Sequence, residues 1–238
     1  MRPTTIAAVP VALLLALPAC TASPGPATDA RGPLRATLTT PTDIDLSWRD
    51  DRPSVAGHVL EFATEPGGPY TALGYLSPRT TRYRHPDLMP RTTFHYRLVS
   101  YRGPASRPVT VDLPDRDTAQ DVSGQEWLTP RDRPDAGAGH QRSLRDGEDG
   151  TAPTALTGTP RDAGGIAFTW TDNSRDEDGF LLEIRRTPDA AFEPVAVLDP
   201  DTDATGLITL PGEQHADYRV RAFVLGERSD TVRLTTGE

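Results

Sequence analysis

The sequence contains no lysine; all 25 of its basic residues are arginine. It has a single cysteine, so no internal disulfide can form and stability must come from packing. No long stretch with a 3.6-residue apolar period follows the first twenty positions, which argues against a helical bundle. Catalytic signatures are missing as well. There is no G-x-S-x-G, no cysteine placed as a nucleophile, and no serine recognisably paired with His and Asp. Histidines 58, 85, 95, 140 and 215 show no ligand spacing, so no metal or other cofactor is expected. A net charge of −9 disfavours nucleic acid as a partner, because phosphates would be repelled.

What is present is a repeat. Leu46-Ser47-Trp48 matches Phe168-Thr169-Trp170, Gly57 to Phe62 matches Gly179 to Ile184, and Tyr96-Arg97-Leu98 matches Tyr218-Arg219-Val220, all at one offset of 122 residues. A constant offset across three apolar blocks means one fold used twice. Within each copy the apolar residues alternate. Ile44, Leu46 and Trp48 share a face, as do Ile166, Phe168 and Trp170; Leu60 and Phe62 match Leu182 and Ile184. Period-two runs broken by Pro, Gly and Asp predict an all-β chain of two antiparallel sandwiches, residues 33–113 and 151–238. Trp48, Trp170, Tyr96 and Tyr218 are expected in the two cores.

Charge is uneven along the chain: the first repeat is +2, residues 114–150 are −4, and the second repeat is −8. Residues 114–150 are rich in Asp, Arg, Gly and Pro and lack an apolar period, so a disordered linker is expected there. Trp127 with Leu128 interrupts that polarity; it is either an incidental exposed residue or an anchor that docks on a domain or a partner. Arg79, Arg82 and Arg84 surround one predicted strand, with Arg82 and Arg84 on its outer face, a candidate surface for an anionic polymer or lipid headgroup. Asp172, Asp176, Glu177 and Asp178 suggest calcium, but an EF-hand loop needs glycine where Glu177 stands, so a solvated loop is expected instead.

The N-terminus has the form of an export signal: Arg2, then an apolar stretch from Ile6 to Ala16. It ends in Leu17-Pro18-Ala19-Cys20, which resembles the lipobox of bacterial lipoproteins. That resemblance implies a signal at residues 1–19, lipidation of Cys20, and a tether over residues 20–32. Arginine without lysine, beside abundant Ala, Gly, Pro and Asp, is the usage of a high-GC genome such as an actinobacterium's.

The repeat unit resembles the fibronectin type III domain. The first copy carries Thr81-Arg82-Tyr83, then Leu88, Pro90, Thr92, Phe94, Tyr96 and Arg97; the second carries Trp170-Thr171-Asp172-Asn173-Ser174 followed by Glu177-Asp178-Gly179-Phe180. The resemblance implies tandem immunoglobulin-like sandwiches in a non-catalytic, monomeric surface protein on the outer face of the membrane. Such a protein would act as a spacer or as a protein or glycan interaction module. An accessory role in extracellular polysaccharide binding or degradation is the alternative, and would need Tyr75, Tyr101 and Trp127 exposed on one plane. Where the family places a tyrosine that staples the corner before its penultimate strand, this chain has Phe94 and Ala216, so looser corners are expected. Truncating Trp48 or Trp170 to Ala is expected to cost about 3–5 kcal/mol, read as a lowered midpoint in urea.

Overall fold

The computed structural model describes residues 31–114, 126–132 and 141–238. The first repeat contributes β1 (Arg31–Thr40), β2 (Asp43–Asp50), β3 (Gly57–Ala63), β4 (Thr71–Leu76), β5 (Arg82–His85), β6 (Thr93–Arg102) and β7 (Val109–Asp112). The second contributes β8 (Thr154–Pro160), β9 (Gly165–Thr171), β10 (Gly179–Arg185), β11 (Glu193–Leu198), β12 (Ala204–Ile208), β13 (His215–Arg228) and β14 (Val232–Thr235). A short 3-10 turn at Glu126–Leu128 lies between them. The fold class is as expected: all-β, with two tandem immunoglobulin-like sandwiches.

Alternation builds both cores. In β2 the buried residues are Ile44, Leu46 and Trp48, and in β9 the matching Ile166, Phe168 and Trp170 are at most 1% exposed. Sheets β1-β2-β5 and β8-β9-β12 each cover one face of a core. Tyr96 sits in the first core and Tyr218 in the second.

The other faces do not form two sheets. They form one eight-stranded sheet that runs β11-β10-β13-β6-β3-β4, with β7 on β13 and β14 on β6. The last strand of each repeat has left its own sandwich. β7 follows β6 in the chain yet pairs with β13, placing Val109 opposite Tyr218; β14 follows β13 yet pairs with β6, placing Val232 opposite Tyr96. Tyr96 and Tyr218 are repeat equivalents, so the exchange is mutual and its register is the same in both directions. Each core therefore receives apolar side chains from the far repeat: Val109, Val111 and Leu113 enter the second, Val232 and Leu234 the first.

The crossing is built with matching parts. Ser106 donates its N–H to the Val220 carbonyl at 2.7 Å, and its Oγ accepts the Val220 N–H at 3.1 Å. Ser229 does the same with Leu98, the repeat equivalent of Val220, at 2.8 and 2.9 Å. Gly103 lies at this crossing with φ +143°, and a Cβ there would stand 2.1 Å from the Ala222 carbonyl oxygen. That approach requires glycine. Beside the crossing, β6 and β13 pair directly through Arg102, Tyr101 and Val99. A third apolar cluster, absent from the expected core, joins the repeats here: Val59, Val99 and Tyr101 from the first with Leu181 and Phe223 from the second.

The expected disordered linker is contradicted where the structure describes it. Trp127 lies across Gly165 and Gly206, where an added Cβ would come within 2.5 Å of its ring. Arg131 then extends the edge of the sheet, exchanging backbone hydrogen bonds with Ala204. Further on, Leu144 is 3% exposed in the second core. Two glycines that open a flat floor, and a few apolar side chains, are enough to hold segments whose average composition is polar.

The corners are not left loose either. In the first, Thr236 replaces the missing tyrosine hydroxyl: its Oγ donates to the Met89 carbonyl at 2.6 Å and accepts the Thr92 N–H at 2.9 Å. In the second, the Glu213 carboxylate accepts the Leu210 N–H at 2.8 Å and the Arg186 guanidinium. A chain truncated after Ser229, which lacks β14, tests the exchange. Amide protection is expected to fall around Phe94–Leu98 in the first repeat while persisting at Tyr218; hydrogen–deuterium exchange with peptide resolution reads the difference.

Candidate functional site

Two of the three predicted arginines share a surface. Arg82 and Arg84 are exposed on β5 and, with Thr37, Thr39, Asp45 and Ser47, line an open groove of about 570 Å³ on the outer side of the β1-β2-β5 sheet. Arg84 is held there by Asp45 at 2.9 Å and by Thr39 at 3.2 Å. Both members of that ion pair are about half exposed, so it positions the guanidinium more than it stabilises the fold. Arg79 is exposed in the turn between β4 and β5, outside the groove lining. Trp127 is not near them; it belongs to the second repeat's sheet. Cys20 lies outside the described residues.

The aromatic row that a glycan-binding role would need is not formed. Tyr75 and Tyr101 meet at 6.2 Å between ring centroids with a 42° tilt, and both pack edge-on against Phe223 in the cluster that joins the repeats. Tyr101 is 1% exposed and its hydroxyl donates to the Leu76 carbonyl.

One Asp–His–Ser grouping escaped the sequence reading, because it draws on four separate segments. Asp50, His58, Ser100 and Ser229 line a single cavity, with His58 Nε2 at 3.0 Å from Asp50 Oδ2. The cavity measures about 10 Å³, room for at most one water molecule, and His58 is 1% exposed. Burial works to raise the Asp50 carboxyl, but hydrogen bonds from Arg52 and His58 outweigh it and hold the group well below the usual carboxylate range. Arg52 also reaches Glu227 of the second repeat at 2.9 Å. Asp50, His58 and Arg52 thus form a tie that reaches the second repeat through Glu227, and the cavity beside them gives no access to a substrate.

The acidic loop of the second repeat is not solvated as expected. Asp176 accepts the Ser143 hydroxyl and the Leu144 N–H, and Asp178 accepts Arg145 and the Leu225 N–H. The Ser143 hydrogen bond is the largest cause that lowers the Asp176 carboxyl. These two acids therefore hold the segment after residue 141 against the sandwich. The remaining acids behave differently. Asp172 and Glu177 come together with Asp201, from the turn between β11 and β12, so that one carboxylate oxygen of each lies within 4.8 Å of the others. Burial, then the charges of Glu177 and Asp201, push the Asp172 carboxyl up to about 6, against the lowering effect of Ser174. Asp201 is 24 residues from Glu177, too far along the sequence for spacing to suggest the group.

A second charged feature recurs in both repeats. Glu61 pairs with Arg97, whose guanidinium covers the Tyr70 ring at 3.8 Å; Glu183 pairs with Arg219, which covers Phe192 at 4.0 Å. The second copy adds Arg221, which donates to Glu183 at 2.9 Å and to the Gly103 carbonyl at the crossing at 2.6 Å. Glu183 is 2% exposed and Arg221 9%.

Among the described residues no helix is long and apolar enough to cross a membrane. No family model matches the chain, and no curated protein matches it. Solved structures similar to it include the sixth fibronectin type III domain of human fibronectin type III domain containing protein 3, at 21% identity and TM-score 0.27, over 33% of this chain and 74% of that one. A two-domain fibronectin type III segment of chicken tenascin is 16% identical with TM-score 0.27, over 87% and 99%. The chicken CNTN1 FN1–FN3 domains are 15% identical with TM-score 0.28, over 88% and 66%. The architecture is defined by the strand order and pairing of the two repeats.

Because Glu183 is buried between two arginines and Glu61 faces one, the same change should differ between repeats. Glu183→Gln is expected to cost about 3–5 kcal/mol, since it strands two part-buried guanidinium groups. Glu61→Gln is expected to cost about 1 kcal/mol. Chemical denaturation of the two variants checks the asymmetry.

Proposed function

We propose that this chain is a non-catalytic, lipid-anchored protein of the outer cell surface, in which two strand-exchanged sandwiches act as one rigid spacer carrying an interaction face. The observation that supports the spacer is the exchange itself. A shared sheet, a shared apolar cluster and the Arg221–Gly103 hydrogen bond resist independent motion of the repeats. The Arg82–Arg84 groove is the face offered to a protein or anionic partner, and its position on the membrane-proximal repeat suits a headgroup or cell-wall polymer. Nucleic acid is disfavoured by the −9 net charge. A monomer is the expected state, because each sandwich finds its missing strand within the same chain.

The anchor rests on Leu17 to Cys20 and on the two-signal logic of membrane attachment, in which more than one acyl chain is needed for stable binding. The polysaccharide alternative loses its support, since Tyr101 is buried, Tyr75 is partly buried against it, and Trp127 packs over two glycines of the second repeat. Metabolic labelling with a palmitate analogue tests the proposal in cells. The native chain is expected to be labelled and to partition with membranes; Cys20→Ser is expected to be unlabelled and to lose that partitioning. Equal membrane retention of both would refute the anchor.

A further inference from the structure

We propose that Asp172, Glu177 and Asp201 form a calcium-binding site on the second repeat. The three carboxylates come from two places: Asp172 and Glu177 from the loop between β9 and β10, and Asp201 from the turn between β11 and β12. Their nearest oxygens span no more than 4.8 Å. A calcium ion holds oxygen ligands at about 2.3–2.6 Å, so opposite ligands stand up to about 5 Å apart and one ion reaches all three. Magnesium brings opposite ligands to about 4.2 Å and requires stricter geometry. With oxygen donors only, and neither thiolate nor imidazole in the group, zinc is disfavoured.

The second observation is Glu177 itself. It is 5% exposed, and its Oε1 accepts the Asp201 N–H at 3.1 Å, which aims the carboxylate at the cluster. Its Oε2 is buried with no hydrogen-bond partner. A buried carboxylate oxygen left unmatched is costly, and a cation is the ligand that removes the cost. No arginine does so: among the described residues none of the three carboxylates has an ion-pair partner, and the nearby Arg175 is engaged by Glu148 and the Gln141 carbonyl. Asp172 is oriented in advance, with Oδ1 accepting both the N–H and the hydroxyl of Ser174 at 2.9 and 3.0 Å and Oδ2 accepting Gln141 at 3.3 Å. Three fixed carboxylates completed by water fit the weak range of extracellular calcium modules, with Kd of about 0.1–1 mM.

The site differs from the contiguous loop considered from sequence. Asp176 and Asp178 are spent on the segment after residue 141, and Asp201 takes their place from a distant turn. An ion here would fasten that turn to the loop after β9.

The full chain, stripped with EDTA, is titrated with calcium chloride by isothermal calorimetry, with magnesium chloride in parallel. One saturable calcium site near the stated range is expected, at least tenfold tighter than magnesium. Asp201→Asn should weaken it at least tenfold while the far-UV spectrum stays unchanged. That substitution suits the test: Asp201 is exposed, its φ of 59° is one asparagine adopts readily, and its N–H still reaches Glu177. Asp189→Asn, in the exposed turn before β11, should bind as the native chain does. Absence of saturable binding up to about 10 mM calcium, a range set by extracellular modules, overturns the proposal. So does equal affinity for magnesium, or native affinity in Asp201→Asn.

Discussion

Where the chain leaves one repeat for the other, Ser106 and Ser229 each give and take a backbone hydrogen bond on a central strand of the neighbouring repeat, β13 and β6 respectively. Those crossings commit β7 and β14 to the far sandwich, and much else follows from that commitment. Without the exchanged strands, β6 and β13 would each present an unpaired edge, a surface that invites association. With them, both edges are covered and both cores are completed. Neither sandwich reaches its full set of core contacts until the other has formed the strand that receives its chain. Folding of the pair is thereby coupled, and its contacts are long-range in sequence, a topology associated with slow folding.

The two repeats keep the same interior and use it to support different exteriors. Trp48 and Trp170, Tyr96 and Tyr218, and the Glu–Arg–aromatic stack recur at matching positions. The surfaces have diverged: an open arginine groove on one, a folded-over acidic loop on the other. Divergence is greatest where a repeat touches its partner. Arg221 stands where the first copy has Val99, and it is Arg221 that reaches across to Gly103. His58 stands where the second has Phe180, and it joins the network that ends on Glu227.

Much of the architecture was legible because burial writes itself as alternation. Ile44, Leu46 and Trp48 announce a strand with one face in a core, whatever lies beyond it. The same physics hid the exchange. Val109 and Val111, or Val232 and Leu234, alternate identically whether they pair with their own repeat or the other, so pattern specifies which side faces inward and not which sheet receives the strand. The third cluster was missed for a related reason: Val59, Val99 and Leu181 read as the outer face of a two-sided strand, and only the second repeat turns that face into an interior. Trp127 was legible as an oddity, but its docking depends on Gly165 and Gly206, two absent side chains on strands far from it in sequence. The acid group was half visible. Asp172 and Glu177 lie in one segment, whereas Asp201 enters through a turn that spacing alone does not bring near.

The return of β14 to the first repeat also decides how the protein carries load. Gly237 donates its N–H to the Pro41 carbonyl at 2.8 Å, so the residues after β14 lie beside the hairpin that joins β1 to β2. Tension applied between residue 31 and residue 238 would run through the first sandwich and bypass the second. The acidic repeat then hangs outside the force path, held by the exchanged strands and free of strain, while the first repeat takes the pull at both its ends.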